Sequence, residues 1–128
     1  MGGAAMTMTL IAVFGGFGAL ARYELGGWVQ RRVDRPHPWG TLAVNVTGAF
    51  LTGLAHGATG MTPHVSRVVS SGFLGGFTTF STWMVETVRT GEEGGRAGLS
   101  AAGFNVVSMI VGGLIGVIAG TWVAELTR

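Results

Sequence analysis

The chain has 128 residues, of which 48% are hydrophobic and only 11% charged. That length suits one small domain, and a soluble one would carry about 25% charged residues. The absence of cysteine excludes disulfides and thiolate metal sites. A net charge of +2, resting on eight scattered arginines, argues against a nucleic-acid surface.

Four apolar stretches follow in order, from about Met6 to Trp28, Trp39 to Ala58, Val65 to Val88 and Ala97 to Leu126. Each reaches the ~20 residues a helix needs to cross ~30 Å of hydrocarbon. The expected fold is therefore all-α, one transmembrane domain of four helices over residues 1–128. Short connections join them at 31–38, 57–63 and 89–96, with prolines or glycines to stop a helix. A soluble bundle would need a polar stripe on every helix, and the second and fourth stretches carry none that is continuous. A cleaved signal peptide is also disfavoured. Ala19-Leu20-Ala21 has a small-residue pattern, but no Lys or Arg precedes the apolar run.

Four spans put both termini on one side, with Arg67 and Arg128. Arg31, Arg32, Arg35, Arg89 and Arg96 lie on the other. The positive-inside rule assigns those five to the cytoplasm. The 24 glycines would weaken soluble helices but let membrane helices approach closely. Gly112, Gly116 and Gly120 form such a face in the fourth stretch, and Gly53 and Gly57 repeat it in the second.

The third stretch concentrates unusual chemistry. Gly75 and Gly76 fall mid-span, where a helix is easily broken, and Thr78, Thr79, Ser81 and Thr82 flank Phe80. A broken helix frees carbonyls that protein, water or an ion must satisfy at membrane depth. Converging carbonyls suit a small cation, whereas hydroxyls donate to an anion or bond back to their own helix. Phe80 and Trp83 share a helical face. Their positive ring edges suit a dehydrated anion, and equally they suit plain packing. Asn45, buried in the second stretch, reads either as a pore donor or as interhelical glue. Arg22 snorkels to the interface, raises the potential of an anion vestibule, or pairs with Glu24 or Glu86. Glu86 near the span end reads as a solvated interfacial acid. His37, His56 and His64 lack metal-ligand spacing. With no nucleophile and base set and no Walker sequence, neither an enzyme nor an ATP-driven pump is expected.

These residues converge on a known pattern. Gly15-Gly-Phe-Gly-Ala-Leu-Ala-Arg22-Tyr23, Gly40-Thr-Leu-Ala-Val-Asn45-Val-Thr-Gly48 and Gly72-Phe-Leu-Gly75-Gly-Phe-Thr78-Thr-Phe80-Ser-Thr, then Glu86, resemble the motifs of the Fluc, or CrcB, family of fluoride channels. The resemblance covers about residues 12 to 120 and is most specific in the third motif.

The resemblance implies an antiparallel, dual-topology dimer in a prokaryotic plasma (inner) membrane, made of identical chains or of paired homologues with fixed orientations. It implies a Na⁺ on the dimer axis, held by the backbone carbonyls of Gly75 and Thr78. It further implies fluoride pathways lined by Asn45, Phe80, Ser81, Thr82, Trp83 and Ser108, with Arg22, Thr79 and Glu86 in support. The pattern usually has Phe where Trp83 stands, and Phe104 occupies a position where a Tyr is common, beside Asn105. Two rivals fit less well. A small multidrug or cation transporter wants a carboxylate deep in a helix, and the first stretch has none before Glu24. A non-transporting scaffold would scatter its hydroxyls instead of gathering them at one helix break.

Overall fold

The computed structural model describes residues 2–58 and 60–127, so Arg128 lies outside the described residues. Every regular element among them is helical. Helix α1 (Gly2–Val33) leads into α2 (Trp39–Gly57). The third stretch is a chain of pieces: α3 (Pro63–Arg67), a π-helical segment (Val68–Leu74), the short α4 (Gly75–Phe77) and α5 (Phe80–Glu93). Helix α6 (Gly95–Leu126) closes the chain.

Local chemistry sets the boundaries. Helix α1 stops at Asp34, whose φ of 44° is the left-handed conformation that Asp tolerates better than most residues. Pro38 precedes α2 and offers no side-chain cap. Gln30 of α1 supplies one, its Oε1 accepting from Gly40 N at 3.0 Å while its Nε2 donates to Arg35 O and His37 O. Thr62 caps α3 by accepting from Val65 N, ahead of Pro63. Gly95, at φ 54°, allows α6 to start one residue after Gly94.

Helices α1 and α6 are long and apolar enough to cross a membrane, with mean hydropathies of 1.8 and 2.1. A soluble core helix would be mostly buried, yet only 6% and 17% of the most apolar 18 residues of α1 and α6 are. Their exposed faces carry Phe17, Leu20, Leu114, Ile115 and Ile118. Such a surface belongs in lipid or against another protein, not in water. Helix α1 runs past the expected Met6–Trp28 at both ends, its last turn being polar, while α6 adds only Gly95 and Arg96 at its start.

A small side-chain core of Val44, Val68, Leu74, Phe77, Met109 and Ala124 is supplemented by close backbone contact. Gly112, Gly116 and Gly120 of α6 face α2, where a Cβ on Gly116 would come within 2.8 Å of Val46 O and one on Gly120 would overlap Phe50 O. Gly53 of α2 returns the fit against Val117 O. Across the molecule, Gly18 and Gly76 form a second seam, where a Cβ on either would overlap the carbonyl of Phe73 or of Gly15.

This seam corrects one expectation. Gly75 and Gly76 do not break the third helix, since both are helical. Gly76 is there for close approach to α1, and the break comes at Thr78 and Thr79, which are extended at ψ 157° and 122°. The third stretch, expected over 65–88 with its helix broken mid-membrane, is indeed interrupted, and it forms two rods, 63–77 and 80–93.

Candidate functional site: a braced helix break beneath a polar cavity

Breaking a helix leaves backbone groups without partners, and this break accounts for most of them. Thr79 N donates to Asn45 Oδ1 at 2.8 Å, and Asn45 Nδ2 donates to Thr79 O at 2.8 Å. The other Asn45 Nδ2 contact is Met109 Sδ on α6, at 3.4 Å. Thr79 also caps α5, its Oγ1 accepting from Thr82 N at 3.3 Å and donating to Thr82 Oγ1 at 3.0 Å. Asn45 thus acts as interhelical glue in this structure, holding the extended residue from both sides. With Thr79 N turned toward Asn45, the Gly75 carbonyl loses its helical donor. Gly75 itself lies exposed.

Arg22 reaches the same point from α1. Its Nη1 donates to Thr78 O at 3.3 Å. Among the described residues it forms no ion pair with Glu24 or Glu86. Glu86, one turn and a half into α5, accepts from Thr41 Oγ1 at 2.8 Å, while its Oε2 is buried without a partner. Arg22, Thr41, Thr79, Thr82 and Glu86 face one cavity of about 610 Å³, which Gln30, Pro36, Pro38, Arg89 and Glu93 also line. The cavity leads from the arginine-rich end of the molecule down to the break. Glu86 is therefore a lining group of this recess and not a freely solvated acid.

The aromatic pair meets as its spacing predicts, edge to face with ring centroids 5.4 Å apart. Phe80 is 68% exposed, and Ser81 and Thr82 are exposed beside it. Gly75, Phe80 and Ser81, none of which lines the recess, leave the break bare on their side. Ser108 lies apart from this group, its hydroxyl donating to Asn105 O at 3.1 Å within α6. Asn105, fully buried, donates to Thr87 Oγ1 at 2.8 Å, and Thr87 donates on to Trp83 O at 2.8 Å.

Sequence reasoning did not find Thr41, Gln30, Thr87 or Met109. Thr41 stood inside a quoted motif, but nothing in a linear pattern pairs it with Glu86. At the cavity mouth His37 packs against the rings of Trp39 and Phe104, at 4.7 and 5.1 Å. Burial there pushes its pKa below the ordinary histidine value.

The family described as CrcB-like protein, Camphor Resistance (CrcB), matches residues 9–121. The chain belongs to the CrcB family. This CrcB chain is 45% identical over 123 residues to the Fluoride-specific ion channel FluC of Geobacter sulfurreducens, spanning 93% of this chain and 97% of that one. It is 42% identical over 128 residues to Fluoride-specific ion channel FluC 1 of Rubrobacter xylanophilus, spanning 97% and 99%. Against Fluoride-specific ion channel FluC 2 of Mycobacterium tuberculosis the identity is 40% over 116 residues, spanning 91% and 89%. The shared stretch takes in all of α2 and α5 and the break between α4 and α5, so the site just described lies wholly inside it.

Proposed function

We propose that this CrcB chain is a fluoride-selective ion channel through which F⁻ leaves the cytoplasm passively. The observation that carries the reading is the helix break, braced by Asn45 at the foot of a recess lined by Arg22, Thr41, Thr82 and Glu86, with Phe80 and Ser81 exposed beside it. Relatives named fluoride-specific ion channels, matched over nearly their full length, support the choice of ion.

A membrane potential negative inside drives an anion outward by about 2.3 kcal/mol per 100 mV, so no pump is needed. Selectivity requires that fixed groups replace the hydration shell in a narrow path. Arg22 brings positive charge to the base of the recess. The edges of Phe80 and Trp83 and the hydroxyls of Ser81 and Thr82 offer partial positive charge beyond it. Asn45 shapes this path by holding Thr79, and Ser108 joins it if its hydroxyl turns from Asn105 O.

The functional unit in this reading has four spans per chain in a prokaryotic inner membrane and is an antiparallel pair of chains. The bare side of the break, with an exposed Phe80, supports a partner there. A Na⁺ fits the same place. Gly75 O lacks its helical donor, and Thr78 O holds only one long bond, from Arg22, on an oxygen with two lone pairs. Two such oxygens per chain suit a cation shared between two chains, where it would hold the paired breaks together by drawing on the carbonyl dipoles of both. The arginines at one end, Arg31, Arg32, Arg35, Arg89 and Arg96, favour one fixed orientation, and so an oppositely oriented homologue as partner is the second reading.

The test is F⁻ efflux from liposomes holding the purified chain alone, read with a fluoride electrode against Cl⁻ efflux. Fast F⁻ efflux without Cl⁻ efflux is expected. Efflux of both ions, or of neither with a homologous partner also present, would overturn the reading.

A further inference from the structure

We propose that an arginine recess at the end of α1 holds the phosphate of an anionic phospholipid headgroup, of the phosphatidylglycerol kind. The proposal uses the membrane placement read above and does not depend on which ion the chain passes.

This second recess, of about 490 Å³, is lined by Gln30, Arg31, Asp34, Arg35 and Pro36. It shares only Gln30 and Pro36 with the larger recess above the helix break. The residue order builds it. Asp34 turns the chain at φ 44°, its N–H donating to Gln30 O at 3.1 Å, and Gln30 Nε2 donates to Arg35 O at 2.8 Å. The backbone that carries Arg35 is thereby held back against α1, so that Arg35 lines the same recess as Arg31. Arg31 lies along its own helix, with Nη1 2.9 Å from where a Cβ on Gly27 would stand. Glycine at 27 leaves that space to the guanidinium.

The charge in this corner is unspent. Among the described residues Arg31, Arg32 and Arg35 form no ion pair, although Asp34 stands in the lining. Two arginines against one aspartate leave the lining with a net positive charge, and Arg32 adds another beside it. Orienting the chain in a membrane needs only the number of arginines, not their gathering around one recess.

Depth and chemistry select the ligand. Arg32 stacks on the ring of Trp28, its Cζ 5.1 Å from the centroid, and Trp28 is 51% exposed. Tryptophan settles at the level of lipid headgroups. Trp28 precedes Arg31 by three residues, about 4.5 Å of helix, so the guanidinium groups stand at the depth of the lipid phosphates. A guanidinium matches two phosphate oxygens at once. A phosphodiester with a single negative charge suits a lining in which one carboxylate opposes two arginines. The Asp34 carboxylate can then accept from a headgroup hydroxyl. A zwitterionic headgroup brings its own cation and leaves the arginine charge unanswered. Free phosphate carries more than one negative charge at neutral pH, which Asp34 opposes, and it is not concentrated at this depth.

The test is binding of tritiated phosphatidylglycerol to the full chain, immobilised in detergent on scintillation beads. Unlabelled phosphatidylglycerol, phosphatidylethanolamine, phosphatidylcholine and inorganic phosphate serve as competitors. Saturable binding is expected, displaced by phosphatidylglycerol at concentrations at least tenfold lower than by either zwitterionic lipid, and not by millimolar phosphate. An arginine near an anionic surface strengthens the attraction roughly fivefold, so Arg31→Gln with Arg35→Gln should weaken binding about tenfold or more. If that double variant fails to fold, each single change carries the test at roughly fivefold. Arg67→Gln with Arg96→Gln removes the same charge from exposed positions outside the recess and should leave binding intact. Equal displacement by phosphatidylethanolamine or phosphatidylcholine would overturn the proposal. So would full displacement by phosphate, which would make this a site for a free anion. Equal weakening in the two double variants would overturn it too, by showing attraction to net charge and no site. None of these results bears on F⁻ efflux, so the channel reading stands or falls separately.

Discussion

Asn45 of α2 and Thr79 at the helix break exchange two hydrogen bonds of 2.8 Å, one in each direction. A primary amide suits this task because it presents a donor and an acceptor in one plane, matching the N–H and C=O of a single extended residue. Asn45→Ala removes both partners and leaves two backbone groups bare at depth, an expected loss of about 1–3 kcal/mol. Thermal unfolding in detergent checks it, and a variant that melts with the parent would show the brace to be dispensable.

Asn45→Asp separates shape from charge. The carboxylate still accepts from Thr79 N, but it can no longer donate to Thr79 O and it places a negative charge beside an anion path. F⁻ efflux should fall steeply even where the protein folds and assembles. Normal efflux would remove Asn45 from any influence on the path.

Phe80→Ile keeps bulk and apolarity while losing the ring edge. Assembly on a sizing column should be unchanged, and F⁻ efflux should drop at least tenfold, about 1.4 kcal/mol in barrier height. Unchanged efflux would mean that ring electrostatics plays no part.

Gly76→Ala tests the α1 seam. The added methyl would overlap Gly15 O, and overpacking of this kind costs typically about 1–3 kcal/mol. Gly103→Ala is the control, because a Cβ there meets nothing within 4 Å and alanine is the better helix former. Folded yield should fall in the first variant and hold or rise in the second.

His37 gives the cavity mouth a pH dependence. Burial against Trp39 and Phe104 lowers its pKa below 6.5, so the unfolded chain takes up a proton before the folded one does. The stabilisation is complete above 6.5 and is lost as pH falls through the lower folded value. Melting temperature should therefore decline on acidification below about pH 6.5, and His37→Phe should flatten that part of the profile. An unchanged profile in the variant would show that other groups titrate there.

Much of this architecture is legible in the residues, and the exceptions have physical causes. Apolar runs located the helices but not their ends, because hydropathy reports the hydrocarbon-facing part and α1 runs on as a helix to Val33. The glycine faces on α2 and α6 were readable because backbone approach needs small residues at helical spacing. The position of the break was misjudged for a related reason. Gly75-Gly76 looks like a weak point, yet its glycine serves contact with Gly15, and the capping hydroxyl of Thr79 decides where the new helix begins. Asn45 was visible as a costly polar group with two meanings, and only its partner distinguished them. The bonds of Gln30, Thr41 and Thr87 leave no trace in a linear pattern, since a polar residue at a helix end or on one turn is unremarkable until its distant neighbour is known.

The recess has an electrical consequence. It carries polar lining from the arginine-rich end down to Thr79, well below the last turn of α1. With the chain in a bilayer, water filling that recess is a conductor at the potential of its own side. The applied voltage then falls mainly beyond the foot of the recess at Thr79, over less than the full thickness of the bilayer. A charge introduced beside Phe80 would sense that drop, whereas one introduced beside Gln30 would sense almost none of it.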